Sequence, residues 1–430
     1  MSNIQILIRK EGLMSKVNNK VEKGITRRDF LKTTGLAGAV AAAGSIGFPS
    51  VLRGAAAPEI LIGHIHPLSG FLAFDGQEMK KAVMFGVKQI NDAGGIKSLG
   101  GAQLRLLDGD SEGKPEKAIS EVERLHRAGV VAITGCYQSA VAIVATQTCE
   151  KLQVPFVVGV ASAEDITKRG FKYTFRVQPP SSVFADQGLK YITQIAQAAG
   201  EKVKTIAFLH ENTQFGTSLA DFTVEYAPKY GLEVPVRVPY STRAADFSTE
   251  VGKIKAANAD LIFDSGYFGD GVRVLRAMRS MRVKAKAIVG IANGAFSHPK
   301  FIEELGELTE NVMDSNYQVN PVSPFAKETL ANFKAAFNLD MSPSMVYGYQ
   351  PVPVIADAIE RAKSTDKEAI REALTKTDFS RHVLPQGPIQ FGQDGQNKNA
   401  TTLLMQILNK KIEVVWPKEY ATAKVVFPHP

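Results

Sequence analysis

The sequence predicts an α/β protein made of two doubly wound, Rossmann-like lobes, and three observations carry that prediction. Strand and helix patterns alternate almost without interruption from residue 60 to residue 290. The strand segments are near-continuous Val/Ile/Leu runs, as expected of parallel strands covered by helices on both faces. The rhythm stops at Pro179-Pro180 and then restarts, so the chain holds two units of one kind.

In the first unit, Ile60–His66 reads as a strand and Gln77–Ala93 as a helix stopped by Gly94-Gly95. Gln103–Leu107 (strand), Pro115–Ala128 (helix), Val130–Gly135 (strand), Ser139–Leu152 (helix) and Val154–Val160 (strand) follow, with Tyr173–Gln178 leading to the prolines. The second unit reads Lys204–His210, Val234–Pro239, Leu261–Ser265 and Ala285–Gly290 as strands. Its helices are Ser218–Tyr230, Asp246–Ala257 and Gly271–Met281. Helices at Phe325–Phe337, Met345–Ala362 and Lys367–Thr375 come next, then a hairpin-like pair, Gly387–Phe391 and Thr401–Asn409.

Ahead of all this lies a leader. Thr26-Arg27-Arg28-Asp29-Phe30-Leu31-Lys32 precedes an uncharged, Ala- and Gly-rich stretch, Thr33–Leu52, and then Ala55-Ala56-Ala57. Basic region, apolar region and small-residue cleavage site, in that order, are expected of a cleaved twin-arginine export signal handed to its translocase. The glycines, serine and proline of the stretch make it a poor membrane span. A cut after Ala56 or Ala57 leaves a periplasmic protein with no cysteine at its start for a lipid anchor.

Residues 1–57 hold nine Lys/Arg and three Asp/Glu, so six of the eight net positive charges belong to the leader and about two to the remainder. No basic patch in the remainder suggests nucleic acid. Cys136 and Cys149, at a strand end and deep in the next helix, read as two buried thiols. Gly-x-Gly-x-x-Gly after the first strand, Walker A, His-Glu-x-x-His and Gly-x-Ser-x-Gly are all missing. No Cys/His spacing suggests zinc, so neither an enzyme nor a cofactor is expected.

Gly63-x-x-x-Pro67-Leu68-Ser69-Gly70, Ile90-Asn91-Asp92-Ala93-Gly94-Gly95-Ile96, Ala245-Asp246-Phe247-Ser248 and Gly387-Pro388-Ile389-x-Phe391 followed by Gly395-Gln396 occur in this order. The ordered set resembles the branched-chain amino-acid binding protein family, the type I periplasmic solute-binding proteins of ABC transporters. The resemblance implies a three-crossover hinge near Gln178–Ser182, Asp314–Val319 and Gln386–Gly387. Lobe one is then 58–179 with 316–385, and lobe two 180–315 with 386–430. It also implies a monomer that closes on a small ligand and delivers it to a membrane permease. A periplasmic sensory module presenting its ligand to a signalling partner is the alternative.

Ligands of open α/β sheets sit beyond the carboxyl ends of the strands. The loop Tyr137-Gln138-Ser139 lies there, and Ser139 reads both as a carboxylate contact implied by the resemblance and as a simple N-cap. By resemblance, Val160 offers its carbonyl to a ligand amine and Ser162 its hydroxyl to the carboxylate. Both also read as an ordinary strand-end turn. Phe74 matches an aromatic ring over the ligand or belongs to the core. Phe215 keeps a ring where relatives carry Tyr, and Tyr267 matches a ligand tyrosine. His66 reads as a ligand contact or a buried histidine. Ala292 falls where amino-acid binders carry a Glu for the ligand ammonium, and a one-residue shift brings only Asn293. That departure leads us to expect a monocarboxylate in preference to a zwitterion, unless Asp264 or Asp270 supplies the charge.

Overall fold

The computed structural model describes residues 58–429; the export signal read in residues 1–57 lies outside them. The first part of the described chain runs β1 (Glu59–His66), α1 (Ala73–Asp92), β2 (Gln103–Asp110), α2 (Pro115–Arg127), β3 (Ala132–Gly135), α3 (Ser139–Leu152), β4 (Phe156–Val158) and β5 (Thr174–Arg176). These strands form one parallel sheet in the order β2-β1-β3-β4-β5. Ile62 lies between Leu106 of β2 and Ala132 of β3. α2 and α3 cover one face, over Leu125, Ile133 and Val141, and α1 covers the other. Cys136 and Cys149 are free and buried in the first of these layers.

The second part runs α4 (Ser181–Ala198), β6 (Thr205–Glu211), α5 (Gln214–Tyr226), β7 (Glu233–Tyr240), α6 (Ser248–Ala257), β8 (Leu261–Ser265), α7 (Phe268–Ser280), β9 (Ala287–Ile291), α8 (Pro299–Leu305) and β10 (Met313–Asn316). It is completed after a long excursion by β11 (Leu403–Leu408) and β12 (Lys411–Trp416). The sheet order is β12-β11-β10-β9-β8-β6-β7. β7, β6, β8, β9 and β10 are parallel, and β11 and β12 pair antiparallel beyond them. α4 was not read from the sequence, although Phe184, Gly188, Leu189, Ile192 and Ile195 form its buried face. Pro179-Pro180 and the mid-helix Gly188 masked the period. Gly188 brings the helix close to the sheet, because a Cβ there would come within 2.6 Å of Ile291 Cδ1.

The excursion holds α9 (Pro324–Phe337), α10 (Pro343–Tyr349), α11 (Pro351–Ala362) and α12 (Lys367–Thr375). α10 and α11 pack on α1, the first-sheet side. The single helix expected over Met345–Ala362 is two abutting ones, because Pro351 has no N–H to continue the ladder.

The final hairpin also differs from expectation. β11 pairs with β12 across Asn409-Lys410, both left-handed at φ 52° and 60°. Gly387–Phe391 instead makes only bridges, Ile389 with Phe379 and Phe391 with Asn397. Nor does the chain leave the first sheet at Gln386–Gly387. Arg176 N donates to Gly395 O and Asn397 N to Arg176 O, both at 2.9 Å, and the buried Arg176 guanidinium donates to Gln396 Oε1 at 2.6 Å. Residues 395–397 thus extend the first sheet beside β5. The passage to the second lies between Asn397 and Thr402, whose N–H reaches Gln187 Oε1 of α4 at 2.6 Å.

Candidate functional site

The carboxyl ends of the two sheets face each other across a small inner cavity, at the place where open α/β sheets bind ligands. Tyr137, from the β3–α3 turn, and Val160 and Ser162, after β4, form its first-sheet wall. Phe215 in the first turn of α5, Tyr267 ahead of α7 and Ala292 after β9 form the opposite wall, with Gly266 and Gly294 beside them. Tyr317, just beyond β10, completes the lining. The Tyr267 ring lies 5.4 Å from that of Tyr137 and 5.5 Å from that of Phe215, so aromatic faces from both lobes enclose the space. Two polar atoms stand ready in it. Ser162 Oγ and the Tyr267 hydroxyl are buried without a hydrogen-bond partner among the described residues, which buried polar atoms rarely tolerate.

Buried carboxylates hold the loops that carry these groups. Glu211, ending β6, accepts from Thr213 N at 2.7 Å, Thr213 Oγ1 at 2.8 Å and Gly216 N, fixing the turn that presents Phe215. Asp270 accepts from Tyr267 N at 3.3 Å and Arg273 Nη2 at 2.9 Å. Burial raises its pKa to about 7. Ala292 has φ 52°, a left-handed strain that persists only when its surroundings impose it. Here they do. Ala292 N donates to Ser315 O at 2.9 Å, and Asn293 Nδ2 donates to Asp264 Oδ2 at 2.6 Å. Asn293 N reaches Asp314 Oδ1 at 3.3 Å, and Asn293 O accepts from Asn316 Nδ2 at 2.9 Å. Burial raises the pKa of Asp264 and Asp314 as well.

Of the ten residues singled out from sequence, Tyr137, Val160, Ser162, Phe215, Tyr267 and Ala292 come together here. The other four lie outside the lining. His66 is fully buried at the end of β1, its ring 5.5 Å from that of His64. Burial, then the His64 charge, lowers its pKa well below the usual imidazole value. Gln138 is the N-cap residue of α3 and donates to Gly113 O at 3.4 Å. Ser139 is the first helical residue rather than the cap. Its Oγ accepts from Ala163 N at 3.1 Å, tying two cleft loops together. Phe74 sits at the outer mouth, its ring 5.0 Å from Phe268 and 5.7 Å from His298. The Val160 carbonyl, expected to meet a ligand amine, already accepts from Gln178 Nε2. Asn293 is turned toward Asp264, so neither residue of that pair offers the cavity a charge.

Tyr317 and the two glycines escaped the sequence reading. Tyr317 lies in the expected second crossover, and its hydroxyl is 3.1 Å from Ser344 Oγ. Asp75 was also passed over. It is buried on α1 and accepts a 2.9 Å hydrogen bond from the hydroxyl of the cavity residue Tyr137. It is a buried acid beside the cavity lining that the sequence reading did not weigh.

Two wound sheets closing on a polar-aromatic cavity define a protein that encloses a small solute. The chain belongs to the periplasmic binding protein family, which it matches over residues 59–411, and residues 24–44 match a twin-arginine translocation signal. It is thus an exported, periplasmic solute-binding protein and not an enzyme. It is 28% identical to Leu/Ile/Val-binding protein homolog 8 of Brucella abortus, over 89% of this chain and 96% of the relative. With homolog 7 of Brucella suis it shares 29%, over 88% and 97%. Its fold is that of the leucine-binding protein LivK of Thermotoga maritima (22% identical, 83% of this chain and 97% of that one, TM-score 0.72). It also matches LivJ of Streptococcus pneumoniae, solved with isoleucine (23% identical, 86% and 100%, TM-score 0.71).

Proposed function

We propose that this protein is the substrate-binding component of an ABC importer of the branched-chain amino-acid type. It captures a carboxylate-bearing solute of amino-acid size between its lobes and delivers it, as a monomer, to the membrane permease. The observation that carries this reading is the inner cavity itself, walled by both lobes and holding two unsatisfied hydroxyls, Ser162 and Tyr267. Ser162 supports a carboxylate contact from lobe one, and the ring pair Phe215–Tyr267 supports an apolar wall from lobe two. The Leu/Ile/Val-binding names of the relatives support the ligand class. The segments near residues 177–180, 317–323 and 397–402 serve as the hinge.

The test is a thermal-shift screen of the mature protein against amino acids and organic acids. A ligand at 100 times its dissociation constant adds ~2.7 kcal/mol of stability. A hit should also compact the protein in small-angle scattering, at a mass of one chain. No hit among carboxylates, with hits among sugars or cations, would overturn the reading.

A further inference from the structure

The buried carboxylates around the cleft differ in how they are compensated. Glu211 takes two N–H donors and a hydroxyl, and Asp270 takes an N–H and a guanidinium. Asp264 is met by the Asn293 amide at Oδ2, while its Oδ1 is buried without a partner among the described residues. Asp314 accepts from Ser297 Oγ at 2.5 Å, Asn316 Nδ2 at 2.9 Å and Asn293 N at 3.3 Å. Glu78 is met by His298 at 3.0 Å and Ser342 at 3.2 Å. Asp75 stands apart. Among the described residues its carboxylate has one hydrogen bond, from the Tyr137 phenol to Oδ1, and neither an N–H donor nor a cation bonded to it. Asp75 is 6% exposed, and a carboxylate so far from water needs a counter-charge.

Its place says where that counter-charge comes from. Tyr137 lines the inner cavity, and Tyr267 borders both that cavity and the open cleft space that Asp75 lines. Asp75 thus looks onto the ligand's surroundings from lobe one, while the position after β9 on lobe two, Ala292, offers none. We propose that Asp75 is the specificity-determining acid of this site, pairing with a cationic nitrogen of a ligand whose carboxylate is held elsewhere in the cavity. The inference rests on the proposed capture of a carboxylate-bearing solute, and it reverses the sequence-based preference for a monocarboxylate. Tyr137 positions the acid by holding Oδ1, leaving Oδ2 for the ligand. Burial has raised the Asp75 pKa to about 7, and a paired cation would draw it down again.

The experiment measures affinity by calorimetry for three matched pairs, leucine, phenylalanine and glutamate each against its 2-keto acid, with the intact mature protein and its Asp75→Asn variant. The wild type should bind at least one amino acid about a hundred-fold tighter than its keto acid. In Asp75→Asn that preference should shrink at least tenfold, with the keto acid bound as well as before. Keto acids bound tighter by the wild type would overturn the role of Asp75 and leave carboxylate capture standing. Binding of none of the six would overturn both. Equal loss of both members of a pair in Asp75→Asn would overturn the pairing and make Asp75 a mere support for Tyr137. If Asp75→Asn fails to fold, Asp75→Ser is measured against the same three pairs, and an amino-acid preference kept at the wild-type ratio overturns the role of Asp75.

Discussion

Closure of this protein should depend on a contact outside the cavity. Glu78, one turn beyond Asp75 on α1, lies 3.0 Å from His298 Nε2 at the head of α8, on the opposite lobe, and both residues are buried. His298 Nδ1 accepts from Lys300 N at 3.1 Å as the helix cap. The proton of a neutral ring is therefore on Nε2, aimed at the carboxylate. Replacing His298 with Asn keeps an N-cap acceptor but cannot span to Glu78. A hydrogen bond to a charged acceptor contributes about 2 kcal/mol, and 2 kcal/mol is roughly thirty-fold in an equilibrium. The contact spans the two lobes, so hinge opening must break it and the factor is expected to fall on the open–closed balance and hence on apparent affinity. Calorimetry with the amino acid that most stabilises the wild type should show about thirty-fold weaker binding by His298→Asn. Scattering from the unliganded variant should show a larger radius of gyration, while the thermal midpoint stays near that of the wild type. Affinity within twofold of wild type, with superimposable scattering curves, would refute the latch.

Three further outcomes are expected. Amino-acid affinity should fall up to tenfold per pH unit below about pH 7. The Asp75 carboxyl, buried among Tyr137, Glu78, His298 and Asp270, is raised to about 7 and must be ionised to meet a cation; titration calorimetry from pH 5.5 to 8.5 giving a flat profile would contradict this. Gly76→Ala should destabilise the protein by about 3 kcal/mol, because its Cβ would overlap the Pro67 carbonyl; an unchanged denaturant midpoint would show the overlap relieved at no cost. Replacing Arg27 and Arg28 together with Lys should leave the precursor in the cytoplasm, and mature protein still found in the periplasm by fractionation would dismiss the twin-arginine route.

The parallel strands were legible because each is an apolar run bounded by turn residues, and the run itself is what a doubly covered sheet requires. Three helix starts were not, although those at Pro115, Ser139 and Lys367 were. α1, α5 and α7 begin three or four residues earlier than expected, at Ala73, Gln214 and Phe268, because Gly76, Gly216 and Gly269 read as breakers. They occur in first turns instead, where Gly76 and Gly216 let the backbone approach Pro67 and Glu211 closely. That difference hid Asp75, which reads as a loop acid in the sequence and is a buried helical one in the fold. Gly387–Phe391 misled in the opposite direction. Its alternation fits a strand, yet it spends its hydrophobic face on Phe175, 5.2 Å from Phe391. Six of the cavity residues could be named, Tyr137 from its loop at a strand end and the others through the family resemblance. Tyr317 could not, since its burial comes from Ser344 and Tyr347, residues about thirty positions away.

The His298–Glu78 contact lies outside the cavity lining, and this gives the molecule a second adjustment beside recognition. Changes at Asp75, Ser162 or Phe215 alter which solutes are distinguished. Changes at the α1–α8 contact act on closure for every solute, and, because Glu78 and His298 also act on the Asp75 carboxyl, those that alter charge move the ranking of cationic solutes as well. A lineage exposed to scarcer nutrient can thus lengthen the residence time of its cargo through charge-conserving changes outside the cavity, and a biosensor built on this scaffold can have its working concentration range moved by neutral substitutions at residue 298.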